Sequence, residues 1–202
     1  MTMVRRDGVT LHGGDHSNPA TIESLITELQ SQEYDVIAVE QPATNLFLFA
    51  EEGPYRYDGR DVRLAYTYAE NHSIPLAALD EARDIPIQNV ERGNRIGNAA
   101  LLSVVGYQPE DVMEAQQDAV ESVLSLPLED IREAREIYRD DDGELFETLV
   151  DSRDASMAAR INGLLQAGYS DVLAVIGQLH VAGVYDYLKS DVNSEQPLVL
   201  TP

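Results

Sequence analysis

Residues 171–183 read "DVLAVIGQLHVAG". A nearly unbroken apolar run closes on Gly177, and His180 follows three positions later in a chain that holds only four histidines. Residues 9–17, "VTLHGGDHS", make the same gesture with Gly13 and His16. A short β-branched run bounded by glycine reads as a buried strand, and "HVAGVYDYLKS" continues as a helix. Each stretch therefore predicts strand, Gly-x-x-His, helix. The two copies stand roughly 160 residues apart, far too long a period for a solenoid, so they point to a pseudo-symmetric core.

The rest of the chain fits around these units. "VTLHGG" (9–14) is a first strand; Ser17 or Asn18 can cap the next helix, and Pro19 suits its first turn. "ATIESLITELQSQ" places Ile22, Leu25, Ile26 and Leu29 on one apolar face. "DVIAVE" (35–40) is a second strand ending on Glu40, and so short a strand–helix–strand unit predicts parallel pairing of the two strands. Residues 43–63 read either as a helical turn and loop or as a hairpin about Gly53-Pro54. "VRLAYTYAENHS" is a helix and "IPLAALD" (74–80) a strand closing on Asp80.

From about Asn89 to Gly168 the pattern is helical, with breaks near Gln108-Pro109, Leu126-Pro127 and "DDDG" (140–143). There Glu133 with Glu136 and Arg135 with Arg139 are expected on solvated faces. "PLVLT" (197–201) is a last strand. The expectation is one α/β domain over 1–202. Its central sheet is mixed and largely parallel, built from two strand–Gly-x-x-His–helix–strand units with a helical insertion at about 89–168.

Composition narrows the function classes. Thirty-six acidic residues against fourteen basic ones leave a net charge of −22, and Lys189 is the sole lysine. Such a field repels nucleic acid and anionic lipid, since phosphate contacts need a basic footprint. The acid excess, arginine almost replacing lysine, and the lack of cysteine fit a halophile of haloarchaeal type. In concentrated salt the self-repulsion is screened within about 3 Å. No apolar run reaches the roughly 18 residues of a membrane helix, and "MTMVRRDG" lacks the apolar core of a secretion signal. A cytoplasmic location is expected, and the oligomeric state is left open.

Open α/β sheets bind ligands at the carboxyl ends of their strands. Gly13 and Gly177 are expected to permit a sharp exit there, placing His16 and His180 near helix N-termini. The dipole at that end disfavours an imidazolium, so each ring is expected to stay neutral, as a metal ligand or general base requires. Glu40 and Asp80 close other strands on the same edge. Two imidazoles and two carboxylates suit Zn, Mn, Co or Fe. In "LVDSRDASMAARINGLL" (149–165), Met157, Ile161, Leu164 and Leu165 form an apolar stripe, and Asp154 or Ser152 can cap the helix. Arg153 reads as surface charge or as a fixed cation for a substrate carboxylate or an oxyanion. His12, within a strand, and His72, in a turn, read as structural.

The segments "VTLHGGDHS", "DVIAVE", "LVDSRDASMAARI" and "DVLAVIGQLHVAGVYDYL" together resemble the TraB/PrgY (pheromone-shutdown) family. That family is related to the TIKI metalloproteases and, more distantly, to ChaN-like and erythromycin-esterase-like proteins. The resemblance spans residues 9–188 in family order. It implies a metal-dependent hydrolase fold, with His16, Glu40 and His180 forming the site and Arg153 and Asp154 beside it. TIKI relatives are described as Mn- or Co-dependent proteases, and PrgY-type proteins reduce peptide pheromone activity. Many TraB proteins carry a C-terminal membrane region, and none is expected in these 202 residues. "ALDEARDIPI" matches only loosely, which bears on Asp80 and Arg83.

The leading expectation is a hydrolase of peptide or amide bonds acting on a peptide or small molecule. A divalent ion (Mn, Co or Zn) on His16, Glu40 and His180 would activate water. Glu40 is ligand or general base, Arg153 anchors substrate beside Asp80 or stabilises the oxyanion, and Asp154 orients Arg153. Two alternatives stand beside it: a metal-free esterase with a histidine general base, and a protein that binds a peptide or small ligand without turnover.

Overall fold

The structure is a computed structural model. It describes residues 2–16, 18–52, 59–107, 122–123, 125–190 and 193–201, and their side chains apart from those of 49, 50 and 52. The chain opens with β1 (Thr2–Arg6), β2 (Val9–Gly14), α1 (Pro19–Ser31), β3 (Val36–Pro42), α2 (Ala43–Glu52), α3 (Arg60–His72) and β4 (Leu76–Asp80). It continues through α4 (Ile87–Val104), α5 (Leu128–Asp141), the short α6 (Gly143–Phe146), a π-helical turn (Glu147–Asp151) and α7 (Ser152–Gln166). Last come β5 (Val172–Gly177), α8 (His180–Lys189) and β6 (Val199–Leu200).

The strands form one six-stranded sheet in the order β1-β2-β5-β3-β4-β6. Its centre is parallel and its two edge strands are antiparallel, so the α/β class with a mixed, largely parallel sheet is what the molecule has. The expected pairing of the first two parallel strands is corrected. β5 lies between β2 and β3 and pairs with both, through Val9↔Val172 to Gly14↔Gly177 on one side and Val36↔Val172 to Val39↔Val175 on the other. The physical reason is burial: "VLAVI" is buried throughout, and a strand apolar on both faces belongs at the middle of the sheet.

Side chains alternate between two cores. Val9, Leu11, Val36, Ala38, Leu79, Val172, Ala174 and Ile176 pack with residues of α4, α5, α7 and α8. The intervening Ile37, Val39, Leu76, Ala78, Leu173 and Val175 pack with α1, α2 and α3. The helix after β2 therefore covers one face and the helix after β5 covers the other. Where neighbouring strands send their helices to opposite faces, a crevice opens at their carboxyl ends.

Several local expectations shift. The N-terminus adds an unforeseen strand, β1, joined to β2 by a tight turn with Asp7 and Gly8 at φ 46° and 83°. Asn18 caps α1 by accepting from Ala20 N–H at 2.8 Å, with Pro19 in the first turn, while Ser17 lies outside the described residues. The buried face of α1 is Thr21, Leu25, Glu28 and Leu29, and Ile26 is exposed. Glu28 stays inside because Arg5 donates to it at 2.6 Å and Tyr34 donates as well.

Residues 43–52 take the helical alternative, and Gly53-Pro54 and Gln108-Pro109 fall outside the described residues. α5 starts directly after Pro127 and stops before Asp142, which caps α6 by accepting from Leu145 N–H at 3.0 Å. Arg135, expected in solvent, is buried. His72 is the last residue of α3, stacked on Tyr68 at 3.9 Å. No described helix is long and apolar enough to cross a membrane.

Candidate active site

Two imidazoles reach the crevice from opposite sides. His16 follows the end of β2, and its carbonyl accepts from Arg60 N–H at 2.9 Å, the first residue of α3. That bond sets the first turn of α3 beside the ring, where the buried Asp61 lies 2.9 Å from His16 Nδ1. His180 opens α8, and its Nδ1 lies 2.6 Å from Oδ1 of Asp154, buried in the first turn of α7. In each pair Nδ1–H donates to the carboxylate, which fixes the ring and leaves Nε2 to face the crevice.

Both Nε2 atoms point at Glu40 from β3. His16 Nε2 is 3.6 Å from Glu40 Oε2, and His180 Nε2 is 3.3 Å from Oε1. Gly177 N–H donates to Oε2 at 2.5 Å, and Arg153 Nη2 donates to Oε1. Burial alone would raise Glu40, but the cations Arg153 and His16 beside it hold it well below the usual carboxylate range. Burial likewise opposes charge on His16, yet its hydrogen bonds to Asp61 and Glu40 outweigh that and raise it to about 11. The expectation that both rings stay neutral is thus corrected for His16, because two carboxylates override the helix-end dipole.

Arg153 is pinned by more than Glu40. It donates to Asp80 through Nε at 3.1 Å and Nη2 at 2.7 Å, and to the Leu149 carbonyl at 3.3 Å from the π-helical turn. Its Nη1 stands 3.3 Å from His180 Nε2. A guanidinium has only donors, so this contact favours a bare Nε2, whereas the Glu40 Oε1 acceptor at the same 3.3 Å favours a protonated one. Beneath His180, Asp154 also accepts from Arg135 Nη1 at 2.5 Å, and Arg135 donates to the Leu179 carbonyl at 2.9 Å. Asp154 therefore orients His180, whereas Asp80 orients Arg153; both expected assignments change. No family model matches the chain, and no curated protein matches it.

A cavity of about 500 Å³ opens over this cluster, within the range of small-molecule sites. Its lining includes His16, Glu40, Arg153, Gly177 and His180, with α4 and Tyr138 across from them. Gly13 and Gly177 matter for space, since neither has a positive φ. A Cβ on Gly13 would come 2.1 Å from Val181 Cγ2 of α8. One on Gly177 would lie 3.2 Å from Glu40 Oε2 and 3.5 Å from His16 Nε2, in the gap between ring and carboxylate.

The residues expected to hold a divalent ion are His16, Glu40 and His180. Their donor types suit one, and the carboxylates Glu40, Asp61, Asp80 and Asp154 outnumber the guanidiniums Arg135 and Arg153. Arg153, however, already lies against Glu40 Oε1 and His180 Nε2. Among the described residues no three His, Asp or Glu side chains form a group that could hold a metal ion. Arg153 would have to leave Glu40 Oε1 and His180 Nε2 for an ion to sit there, and no step below passes through one.

His16, Glu40, Asp80 and His180, expected at this edge, and Arg153 and Asp154, implied beside the site by the resemblance, lie together here. Asp61, Arg135 and Tyr138 were not expected among them. Asp61 carries one signal, an acid in a helix's first turn. For Arg135 the signal is Gly183, where a Cβ would stand 2.0 Å from Asp154 Oδ2 and 2.5 Å from Arg135 Nη2.

Proposed function

We propose that this cavity is the active site of a hydrolase that cleaves an ester or amide bond by acid–base chemistry. The observation that carries the reading is the mirrored arrangement of two carboxylate-anchored imidazoles on one ionised glutamate, at the floor of a cavity. The TraB/PrgY resemblance, with its esterase-like relatives, points to the same reaction class.

His180 is the base. Asp154 holds its Nδ1–H, so the ring exchanges protons at Nε2, as in histidine–aspartate dyads of other hydrolases. Water gives a proton to that nitrogen while its oxygen adds to the substrate carbonyl carbon. The carbonyl oxygen takes the negative charge and faces the cations Arg153 and His16. Collapse breaks the bond to the alcohol or amine, which takes a proton from His16. The proton on His180 then returns charge to His16 by way of Glu40, and the acid product leaves.

The test is hydrolysis of chromogenic esters and anilides in concentrated KCl, with chelator present throughout. Activity is expected to persist in chelator and to fall at least about 100-fold in His180→Asn and Glu40→Gln. Loss in chelator with recovery in Mn, Co or Zn would replace this mechanism with a metal-dependent one. Substrate recovered intact under all conditions would leave a binding protein.

A further inference from the structure

The cavity has two unlike halves. One is the charged cluster; the other is bounded by α4, by Leu149 of the π-helical turn and by Tyr138 of α5. Tyr138 is buried with its ring edge-on to Phe146 at 5.5 Å, packing that a phenylalanine would supply equally. Tyr138 lines the cavity, and its hydroxyl is a buried polar atom without a hydrogen-bond partner among the described residues. Leaving such a group unpaired costs about 1–3 kcal/mol, so the hydroxyl awaits a partner.

α4 is cut to make room there. A Cβ on Gly93 would stand 2.2 Å from Leu149 Cδ1 and 2.6 Å from Tyr138 Oη, so this glycine brings the helix against the hydroxyl. On Gly97 a Cβ would come no nearer than 3.3 Å to Leu179 Cδ2 and 3.5 Å to Tyr138 Cε1. Two glycines inside one helix each cost about 1 kcal/mol against alanine, which the space between helix and ring accounts for. This half offers apolar walls from Leu101, Leu102 and Leu149 and no ionised side chain. The guanidinium within electrostatic reach of the hydroxyl, Arg92, is paired with Asp142 at 2.7 Å.

We infer that this half is the subsite for an uncharged, largely aliphatic part of the substrate carrying a carbonyl that accepts from the Tyr138 hydroxyl. The inference deepens the hydrolase reading and rests on it only for what happens to the bound molecule. Anionic groups find no unpaired cation among the residues that line it.

Calorimetric titration of the whole protein in KCl tests this with three probes. They are N-phenylhexanamide, the monoanilide of adipic acid (which ends in a carboxylate), and N-hexylaniline (which lacks the carbonyl). The neutral amide is expected to bind at least about tenfold tighter than the carboxylate. Tyr138→Phe is expected to weaken the amide about fivefold or more, to leave N-hexylaniline unchanged, and not to lower the melting temperature. Gly97→Ala, which fills space without a hard clash, is expected to weaken both neutral probes while preserving the fold.

Equal affinity for neutral and carboxylated probes, no detectable binding of the amide, or an equal effect of Tyr138→Phe on both neutral probes would overturn the subsite. Binding needs no turnover. Selective binding without hydrolysis of any ester or amide would sink the hydrolase reading alone, and hydrolysis without selectivity would sink the subsite alone.

Discussion

His16 Nδ1 and Asp61 Oδ2 lie 2.9 Å apart although 45 residues separate them, and His180 Nδ1 and Asp154 Oδ1 repeat the bond at 2.6 Å. The first pair links the loop after β2 to α3, and the second links α7 to α8. Asp61→Asn removes a charge but keeps an acceptor, so His16 should titrate well below its value of about 11. A histidine raised in the folded state adds stability below its unfolded value of 6.5, and that stability is lost as pH rises through about 11. Asp61→Asn should therefore remove part of the stability at neutral pH and flatten the alkaline decline. NMR titration of His16 and denaturant midpoints across that range check both outcomes.

Arg135 and Asp154 form a buried ion pair at 2.5 Å. Removing one partner strands the other, at a cost of about 3–5 kcal/mol. Asp154→Ala is expected to lose that much by chemical denaturation and to lose activity, because His180 is no longer anchored. Gly183→Ala should destabilise too, since its Cβ would lie 2.0 Å from Asp154 Oδ2. A Gly183→Ala protein as stable as wild type would refute the packing described.

His12 is buried, neither ring nitrogen has a hydrogen-bond partner among the described residues, and burial is the main cause that lowers it to about 4. It resists protonation when folded and accepts it when unfolded. Its effect on stability is nil above 6.5 and grows as pH falls towards about 4, reaching at most about 3 kcal/mol of destabilisation. His12→Leu should blunt the loss of stability between those values. Parallel acid unfolding curves for the two proteins would contradict this.

A net charge of −22 on 202 residues predicts a protein that depends on screening. Its melting temperature is expected to rise by more than about 10 °C between about 0.2 and 3 M KCl, most steeply at the low end. Scanning calorimetry across that series checks the expectation.

The strands were legible because buried strands are apolar runs ended by glycine or a carboxylate, as in "DVLAVIG" and "DVIAVE". Their order was not, since local pattern carries no record that β5 returns between β2 and β3. β1 was readable after all, because "RRDGVT" holds the Asp-Gly pair that favours a tight hairpin. Glu40 and the two histidines could be placed by the rule that such sheets work at their carboxyl edge. Asp61 and Arg135 could not: both sit in charged stretches where each residue looks solvated, and only distant partners draw them inside.

Nitrogen-15 NMR of histidine-labelled, chelator-treated protein at about pH 8 tests the central assignment most directly. His16 is expected to be an imidazolium, and His180 to carry its proton on Nδ1 with Nε2 bare. A neutral His16, or a His180 bearing its proton on Nε2, would contradict it.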